Sequence, residues 1–179
     1  MTSVDPSQRI YLIGLMGSGK STVGRIMAQN LGWGLYDLDG EIEKSTGLTI
    51  TDIFEEQGEA AFRELEKVML AGTRTLKQTV ISCGGGIILQ EENILLLKKE
   101  TTIWLEVPPA EAAARVSYSN DRPLMTGVID TPERMKELLK ERRNAYMLAA
   151  RISIETGGKA PEIIAQEIIN TVEQQAHGT

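Results

Sequence analysis

The stretch Gly14–Thr22 has the residue types and spacing of a phosphate-binding loop. It runs Gly, four residues, then Gly-Lys-Ser, between an apolar run and a helical pattern. Its glycines let backbone N–H groups point at phosphate oxygens, and the next helix adds positive potential at its N-terminus. Lys20 can reach the terminal phosphates and the Ser21 hydroxyl can bind Mg²⁺. We therefore predict an ATP-type site, with a glycine-rich turn as the alternative, built by Gly17, Ser18, Gly19, Lys20, Ser21 and Thr22.

Two aspartates, Asp37 and Asp39, follow the second apolar run. In an extended chain their spacing places both carboxylates on one side. A phosphate-bound Mg²⁺ requires oxygen ligands, and a hydroxyl acceptor requires a carboxylate that orients it and takes its proton. We assign Asp37, with Ser21, to the metal and Asp39 to the acceptor. The alternative is that Asp39 only caps a helix that begins near Glu41.

Three consecutive glycines, Gly84, Gly85 and Gly86, end the third apolar run. Such a run allows close backbone approach to a ligand and offers unobstructed N–H groups. The alternative is a flexible turn. Just before it stands Ser82, where many phosphate-loop enzymes carry an acidic residue near the metal, so Asp37 is the candidate for that task.

Two neighbouring arginines are distinguished by a helical pattern whose apolar face consists of Met135, Leu138, Leu139, Tyr146 and Ala149. Arg142 falls on this face, whereas Arg143 lies about 100° away around the helix. Because an arginine on an inward face needs an anionic partner, we predict that Arg142 contacts a ligand and that Arg143 lies at the surface. The alternative for Arg142 is an internal acidic partner.

Three further arginines have two interpretations each. An exposed ion pair with Glu59, four residues earlier, explains Arg63 adequately. Arg115 and Arg122 flank a polar stretch over 118–130 that we interpret as a lid, about residues 112–127, with a plain connector as the alternative. Arginines brought over a transferring phosphoryl group would neutralise its developing charge, and surface positions are the alternative for both.

The elements that must position these residues are short apolar strands alternating with helices. We predict strands at 9–14, 35–37, 79–83, 102–107 and 151–155, and helices at 19–31, 41–46, 50–57, 58–76, 91–99, from 108, 131–150 and 161–175. This order predicts an α/β protein with a parallel sheet covered on both faces. Ligands should then bind just after residues 13, 37, 83, 107 and 155, at the carboxyl ends of the strands.

Composition narrows the class of protein. The chain has 179 residues, and 25 acidic against 19 basic residues give a net charge of -6, which disfavours nucleic acid as the main partner. One cysteine, Cys83, excludes an intrachain disulfide and suits a reducing cytoplasm. The single histidine, His177, lies in the C-terminal tail, so a proton acceptor must be another residue type. We find no membrane span and expect no signal peptide before the first strand.

These motifs together resemble the shikimate kinase family over residues 9–172. They occur in the family's order: the phosphate loop, Asp37-Leu38-Asp39 with Glu41-Ile42-Glu43, Ile53-Phe54 with Gly58-Glu59 and Phe62-Arg63, Gly84-Gly85-Gly86, Arg122-Pro123-Leu124, and Arg142 with Tyr146. The phosphate loop alone is shared by many enzymes, whereas the rest of the series is far more specific. The resemblance implies a three-layer α/β/α fold like that of nucleoside monophosphate kinases, with a five-stranded parallel sheet. It also implies one kinase domain over 1–179, an acceptor-binding helical region at about 40–64, and a monomer.

The resemblance implies transfer of the γ-phosphoryl group of ATP to the 3-hydroxyl of shikimate, with Mg²⁺. In that reaction Asp39 would bind the hydroxyl and act as base, and Arg63 and Arg142 would hold the substrate carboxylate. The glycines at 84–86 would contact the ring hydroxyls. This implication raises Arg63 from a surface ion pair to a substrate contact.

On the nucleotide side the resemblance implies that Ser21 ligates Mg²⁺ with support from Asp37. Lys20 and Arg122 would stabilise the phosphoryl group, and Arg115 and the segment 157–161 would border the adenine. Many members follow the late arginine with Asn-Pro-Leu-Tyr, a motif that this chain lacks and that therefore does not choose between Arg142 and Arg143. A kinase for another carboxylated polyol such as gluconate, and a nucleotide-dependent switch, are the competing hypotheses.

Overall fold

A five-stranded parallel sheet forms the centre of the molecule. The computed structural model describes residues 8–117 and 131–177. The strands β1 to β5 are Arg9–Ile13, Gly34–Asp37, Thr79–Ser82, Thr101–Glu106 and Ile152–Glu155. Their order in the sheet is β2-β3-β1-β4-β5, and every pairing is parallel. Strand number and direction confirm the prediction.

Helices connect consecutive strands and cover both faces of the sheet. In the described residues α1 to α7 are Lys20–Leu31, Leu38–Thr46, Ile50–Gly72, Glu91–Leu97, Pro109–Ser117, Pro132–Ala149 and Pro161–His177. Two short 3₁₀ helices, Thr73–Thr75 and Ile87–Leu89, were not predicted. The predicted boundaries agree within a few residues elsewhere, except that α2 begins earlier, at Leu38, and α3 joins two predicted helices.

The junction inside α3 lies at Gly58, whose φ of 83° and ψ of 168° are non-helical. Only glycine adopts this conformation without strain, so the helix bends here and continues. Thr49 begins α3 with a capping box, in which the Thr49 and Asp52 side chains each accept from the other residue's backbone N–H. The bend separates the first two turns of α3 from the half that carries Arg63.

Alternation along the central strands builds two hydrophobic cores, one on each face of the sheet. On β1, Tyr11 and Ile13 belong to the core beneath α3 to α6, whereas Ile10 and Leu12 belong to the core beneath α1 and α7. This arrangement gives the three α/β/α layers that the resemblance implies. Cys83, just past β3, is buried in the core beneath α3 to α6.

A third, small core lies away from the sheet, between α2 and α3. It consists of Ile42, Ile53 and Phe62, packed against partly buried neighbours that include Phe54. The Phe54 and Phe62 ring centroids are 4.8 Å apart. In the predicted acceptor-binding region, 40–64, hydrophobic contacts between α2 and α3 therefore stabilise the packing of these two helices.

The predicted lid falls mostly outside the described residues. Its first part, 112–117, belongs to α5, where Ala112 and Ala113 are buried. Arg122 lies outside the described residues, and the lid stays a prediction. Among the described residues, no helix combines the length and the apolar character needed to span a bilayer.

Candidate active site

The phosphate loop wraps around the Lys20 side chain. Gly19, in the left-handed conformation, precedes the first residue of α1, so the lysine stands at the helix N-terminus. Lys20 is 8% exposed, and its Nζ donates to the carbonyls of Gly14 and Leu15 at 2.9 and 2.8 Å and to Ser18 Oγ at 3.3 Å. The loop thus has the concave form that the sequence predicted, with its cation inside.

Oxygen atoms from three elements meet beside this loop. Ser21 Oγ donates to Asp37 Oδ2 at 2.7 Å and lies 3.2 Å from Ser82 Oγ. Asp37 Oδ1 accepts from the Gly40 N–H at 3.2 Å, which makes Asp37 the N-cap of α2. The structure therefore brings Ser21 and Asp37 together as predicted, and Ser82 joins them.

Two expectations about the aspartates are corrected here. The segment 37–39 is not extended, because α2 begins at Leu38 directly after β2 and turns the chain. Asp39 is not the cap of this helix, since Asp37 takes that place and Asp39 lies in the first turn. The two carboxylates consequently point to different partners, Asp37 toward Ser21 and Asp39 toward the glycine turn, residues 84–86.

The oxygen set at Ser21 suits a hard cation that is held mainly by nucleotide phosphates. Mg²⁺ takes oxygen ligands, often only one or two from the protein. Ser21 and Asp37 supply a hydroxyl and a carboxylate oxygen 2.7 Å apart, and the described residues contain no cluster of three or more His, Cys, Asp or Glu side chains for a metal. The residues present therefore fit Mg²⁺ delivered with a nucleotide, and they do not form a complete protein cage.

The glycine turn is packed from several sides with no room for side chains. A Cβ on Gly84 would lie 2.8 Å from Glu66 Oε1 and 2.9 Å from Asp39 Oδ1. A Cβ on Gly86 would collide with the Arg63 guanidinium, and one on Gly85 would lie 3.2 Å from the backbone nitrogen of Met16 in the phosphate loop. The turn is therefore the wall between the phosphate loop and the acidic and basic residues around Arg63.

Arg63 is held between two glutamates of its own helix. Its Nη1 donates to Glu66 Oε2 at 2.5 Å, and Nε and Nη2 donate to Glu59 Oε1 at 3.2 and 3.0 Å. The Arg63 side chain is only 15% exposed, so the predicted ion pair with Glu59 exists but is not a purely surface feature. Burial alone would lower the Arg63 pKa, and the two carboxylates outweigh it and raise that pKa.

Glu66 is a site residue that sequence reasoning missed. It is 1% exposed, and its Oε1 has no hydrogen-bond partner among the described residues. Burial raises the Glu66 pKa, Arg63 opposes the rise, and the nearby Asp39 carboxylate adds to it. A signal was present, because Phe62, Glu66 and Leu70 recur every four residues and place a glutamate on an apolar stripe.

Arg142 and Tyr146 reach the glycine turn from α6. Arg142 Nη1 and Tyr146 Oη donate to the Gly85 carbonyl oxygen at 3.2 and 2.7 Å. Arg143 instead pairs with Glu106 at 3.1 Å, and its side chain is 48% exposed. The helix face places Arg142 against the glycine turn and Arg143 at the surface, as the periodicity predicted. The Arg142 charge also acts on the buried Glu66 carboxylate, and the contact of Arg142 with a ligand stays a prediction.

Arg115 approaches the phosphate loop from α5. Its Nη1 donates to the Gly17 carbonyl at 3.2 Å, and its Nη2 pairs with Glu111 at 3.0 Å. Glu111 also accepts from the Gly158 N–H at 3.1 Å, so the segment 157–161 and α5 border one end of the loop. The residues predicted for the adenine thus lie together, although their role stays a prediction.

Taken together, this is the arrangement of a phosphate-loop kinase. A phosphate loop with a lysine and a serine hydroxyl lies at the carboxyl ends of the strands of a parallel sheet, where ligand sites of open α/β sheets occur. A second group of charged residues, with Asp39 and Arg63 at its centre, lies across the glycine turn and can receive an acceptor. A nucleotide switch would need no such second group.

Comparison with known proteins gives the family. The family model for shikimate kinase matches residues 16–173. A shikimate kinase of Persephonella marina is 42% identical over 166 residues, which are 92% of this chain and 99% of that protein. The structure of shikimate kinase from Acinetobacter baumannii in complex with shikimate is similar with a TM-score of 0.88 and 38% identity, over 94% of both chains.

The chain belongs to the shikimate kinase family, and its function is the ATP-dependent phosphorylation of shikimate. A gluconokinase from Sinorhizobium meliloti is also similar, covering 98% of this chain and 97% of that one, but with a TM-score of 0.57 and only 18% identity. That likeness extends to the fold alone. The gluconate hypothesis is therefore not favoured.

Proposed function

We propose that this chain transfers the γ-phosphoryl group of ATP to the 3-hydroxyl of shikimate. The observation that carries the proposal is the glycine turn, which touches Asp39, Arg63 and Glu66 on one side and the phosphate loop on the other. The glycine turn thus lines two neighbouring sites, one with groups that can bind the acceptor's hydroxyls and carboxylate, and the other formed by the phosphate loop. An acceptor bound there has its hydroxyl next to the terminal phosphate.

On the acceptor side, Asp39 orients the attacking hydroxyl and takes its proton. Arg63 and Arg142 bind the acceptor carboxylate, which a guanidinium can hold through two parallel hydrogen bonds. The buried Oε1 of Glu66 supports a polyol, because hydroxyl groups are donors that this oxygen lacks within the described part of the protein. The N–H groups of Gly84–Gly86 complete the site for the ring hydroxyls.

On the nucleotide side, Lys20, with Gly17, Ser18, Gly19, Ser21 and Thr22, binds the phosphates, and Lys20 and Arg122 neutralise charge on the phosphoryl group as it transfers. Mg²⁺ supplies further charge neutralisation when it is bound, held by Ser21 with support from Asp37. Arg115 and the segment 157–161 border the adenine. The protein contributes positioning and charge stabilisation and forms no covalent intermediate.

The lid over 112–127 would exclude water on acceptor binding and so limit hydrolysis of ATP. We also propose that the enzyme acts as a monomer in the cytoplasm. Its single cysteine, which is buried, suits a reducing compartment.

The test is ADP formation with ATP, Mg²⁺ and a series of acceptors. We expect fast ADP formation with shikimate and little with gluconate. Chelation of Mg²⁺ should abolish the activity, and added Mg²⁺ should restore it. Faster turnover of gluconate than of shikimate would contradict the substrate. ADP release that needs no acceptor would contradict the kinase assignment altogether.

A further inference from the structure

Two donors from α6 converge on one carbonyl oxygen of the glycine turn. The Tyr146 hydroxyl donates to the Gly85 oxygen at 2.7 Å, and Arg142 donates to the same oxygen at 3.2 Å. Arg142 is part of the proposed acceptor site, whereas Tyr146 is not among the residues that contact the acceptor in that proposal. The shorter of the two hydrogen bonds is that of Tyr146.

Tyr146 is held in place by its surroundings. It is 0% exposed, and its ring stacks on Trp104 with centroids 5.6 Å apart and an interplanar angle of 14°. Burial raises the pKa of Tyr146 to about 12, so the hydroxyl stays protonated and remains a donor at neutral pH. Stacking fixes the ring and therefore the position of its hydroxyl oxygen, which stays within hydrogen-bond distance of the Gly85 carbonyl.

The Gly85 oxygen controls the orientation of the next N–H group. In a planar trans peptide the C=O of Gly85 and the N–H of Gly86 point in opposite directions. With its oxygen held by α6, this peptide turns the Gly86 N–H away from α6. The same residue, Gly86, has its Cα against the Arg63 guanidinium, so the peptide links Arg142 on α6 with Arg63 on α3.

We propose that Tyr146 is a positioning residue for acceptor binding, an inference that rests on the acceptor site proposed above. Its hydroxyl fixes the Gly85–Gly86 peptide and thereby the spacing between Arg142, Arg63 and the glycine N–H groups. In this proposal Tyr146 acts through the Gly85 carbonyl and not by contact with the reacting atoms or the nucleotide. Its loss should therefore affect acceptor binding and leave nucleotide binding unchanged.

The experiment compares Tyr146→Phe with Tyr11→Phe. Both tyrosines are 0% exposed, and each hydroxyl makes a buried hydrogen bond, that of Tyr11 with Thr73 Oγ1 at 2.9 Å. Tyr146→Phe keeps the ring on Trp104 and removes only the hydroxyl, which donates to the Gly85 carbonyl and also interacts with Arg142. We expect the KM for shikimate to rise roughly 2- to 10-fold, as for loss of one neutral hydrogen bond, with the KM for ATP unchanged and kcat within about 2-fold.

In Tyr11→Phe we expect a comparable change in Tm and no change in the KM for shikimate. Equal rises in the shikimate KM of both variants would overturn the inference, because general loss of stability would then explain them. A wild-type shikimate KM in Tyr146→Phe would overturn it as well. Failure of the proposed function would instead appear in the wild-type enzyme, as absence of shikimate-dependent ADP formation.

Discussion

At the scale of single residues, the site depends on a few charges that the fold holds away from water. Arg63 and Glu66 form an ion pair in which the carboxylate is 1% exposed and one of its oxygens has no donor within the described chain. Buried charges of this kind contribute little to stability and are costly when left incomplete. Their presence beside Asp39 is therefore more easily explained by acceptor binding than by folding.

Asp39 carries the chemical step in the proposed reaction. In Asp39→Asn the side chain keeps its size but no longer accepts a proton, so kcat should fall roughly 10²- to 10⁴-fold. Nucleotide affinity, measured by calorimetry, should persist because the phosphate loop is unchanged. Glu137→Gln, whose side chain is 65% exposed on α6, is the control and should leave kcat unaltered. Near-normal turnover in Asp39→Asn would remove Asp39 from the role of base.

The two neighbouring arginines of α6 should differ sharply. Arg142→Ala removes a side chain that contacts the glycine turn, so the KM for shikimate should rise at least tenfold, since hydrogen bonds to charged groups contribute roughly 1.5–3 kcal/mol. Arg143→Ala removes a half-exposed pair with Glu106, worth about 1 kcal/mol or less, and should change that KM little. Steady-state kinetics of both variants provide the measurement. The reverse ranking would contradict the assignment from the helix face.

At the scale of elements, the glycine turn decides how close the acceptor site comes to the phosphate loop. Gly84 lies so near the Glu66 and Asp39 carboxylates that no side chain fits. Its requirement for glycine is one of space, not of an unusual φ, since the positive-φ glycines of the described chain do not include Gly84. A methyl group here would push one or both carboxylates from their places.

Gly84→Ala should therefore lower kcat/KM for shikimate roughly 10- to 100-fold, the scale of a displaced catalytic group. The matched control is Gly72→Ala, because Gly72 has helical backbone angles and the methyl group of an alanine there would meet no neighbouring atom of the described residues within 4 Å. That variant should be fully active and at least as stable as the wild type. If Gly84→Ala retained full activity, the turn would not be the wall that the proposed acceptor site requires.

Sequence patterns predicted most of the helices and strands but not the contacts between side chains of different elements. Alternating apolar strands and helices indicated the sheet, and the helix face separated Arg142 from Arg143, because both depend on local periodicity. The prediction of an extended conformation at 37–39 was wrong, because α2 begins at Leu38, directly after β2, and Asp37 caps it. Glu66 was missed although it lies on the apolar stripe of Phe62 and Leu70. Its closeness to the glycine turn joins residues that are far apart in the chain, and no local pattern contains that contact.

At the scale of the whole molecule, the two ends of the parallel strands have different roles. The candidate active site lies at the carboxyl ends of the strands. At their amino ends, Arg9 at the start of β1 makes a set of tertiary contacts. Arg9 donates to both carboxylate oxygens of Glu100, at 3.1 and 3.2 Å, and to the carbonyls of Arg74 and Leu76. Arg9 and Glu100 are only 20% and 16% exposed.

Arg9→Met should therefore lower stability and leave catalysis alone. Leaving Glu100 and two carbonyls without their donor should cost about 1–3 kcal/mol, which lowers Tm by roughly 2–12 °C in a chain of this size. Calorimetry gives Tm, and steady-state kinetics should give wild-type KM and kcat below the transition. Arg134→Met, which removes an exposed pair on α6, is the control and should change Tm by about a degree or two at most. A kinetic defect in Arg9→Met would contradict this division of tasks.

The small core of Ile42, Ile53 and Phe62 has a consequence for how acceptor preference can change. These residues form a cluster of their own, joined to the core beneath α3 to α6 by the partly buried Met69, and the bend at Gly58 lies within the same region. Substitutions there should change the shape of the proposed acceptor site while most of the packing that holds the phosphate loop is retained. Evolution, or a designer, could thus exchange the accepted alcohol while the nucleotide half is inherited intact.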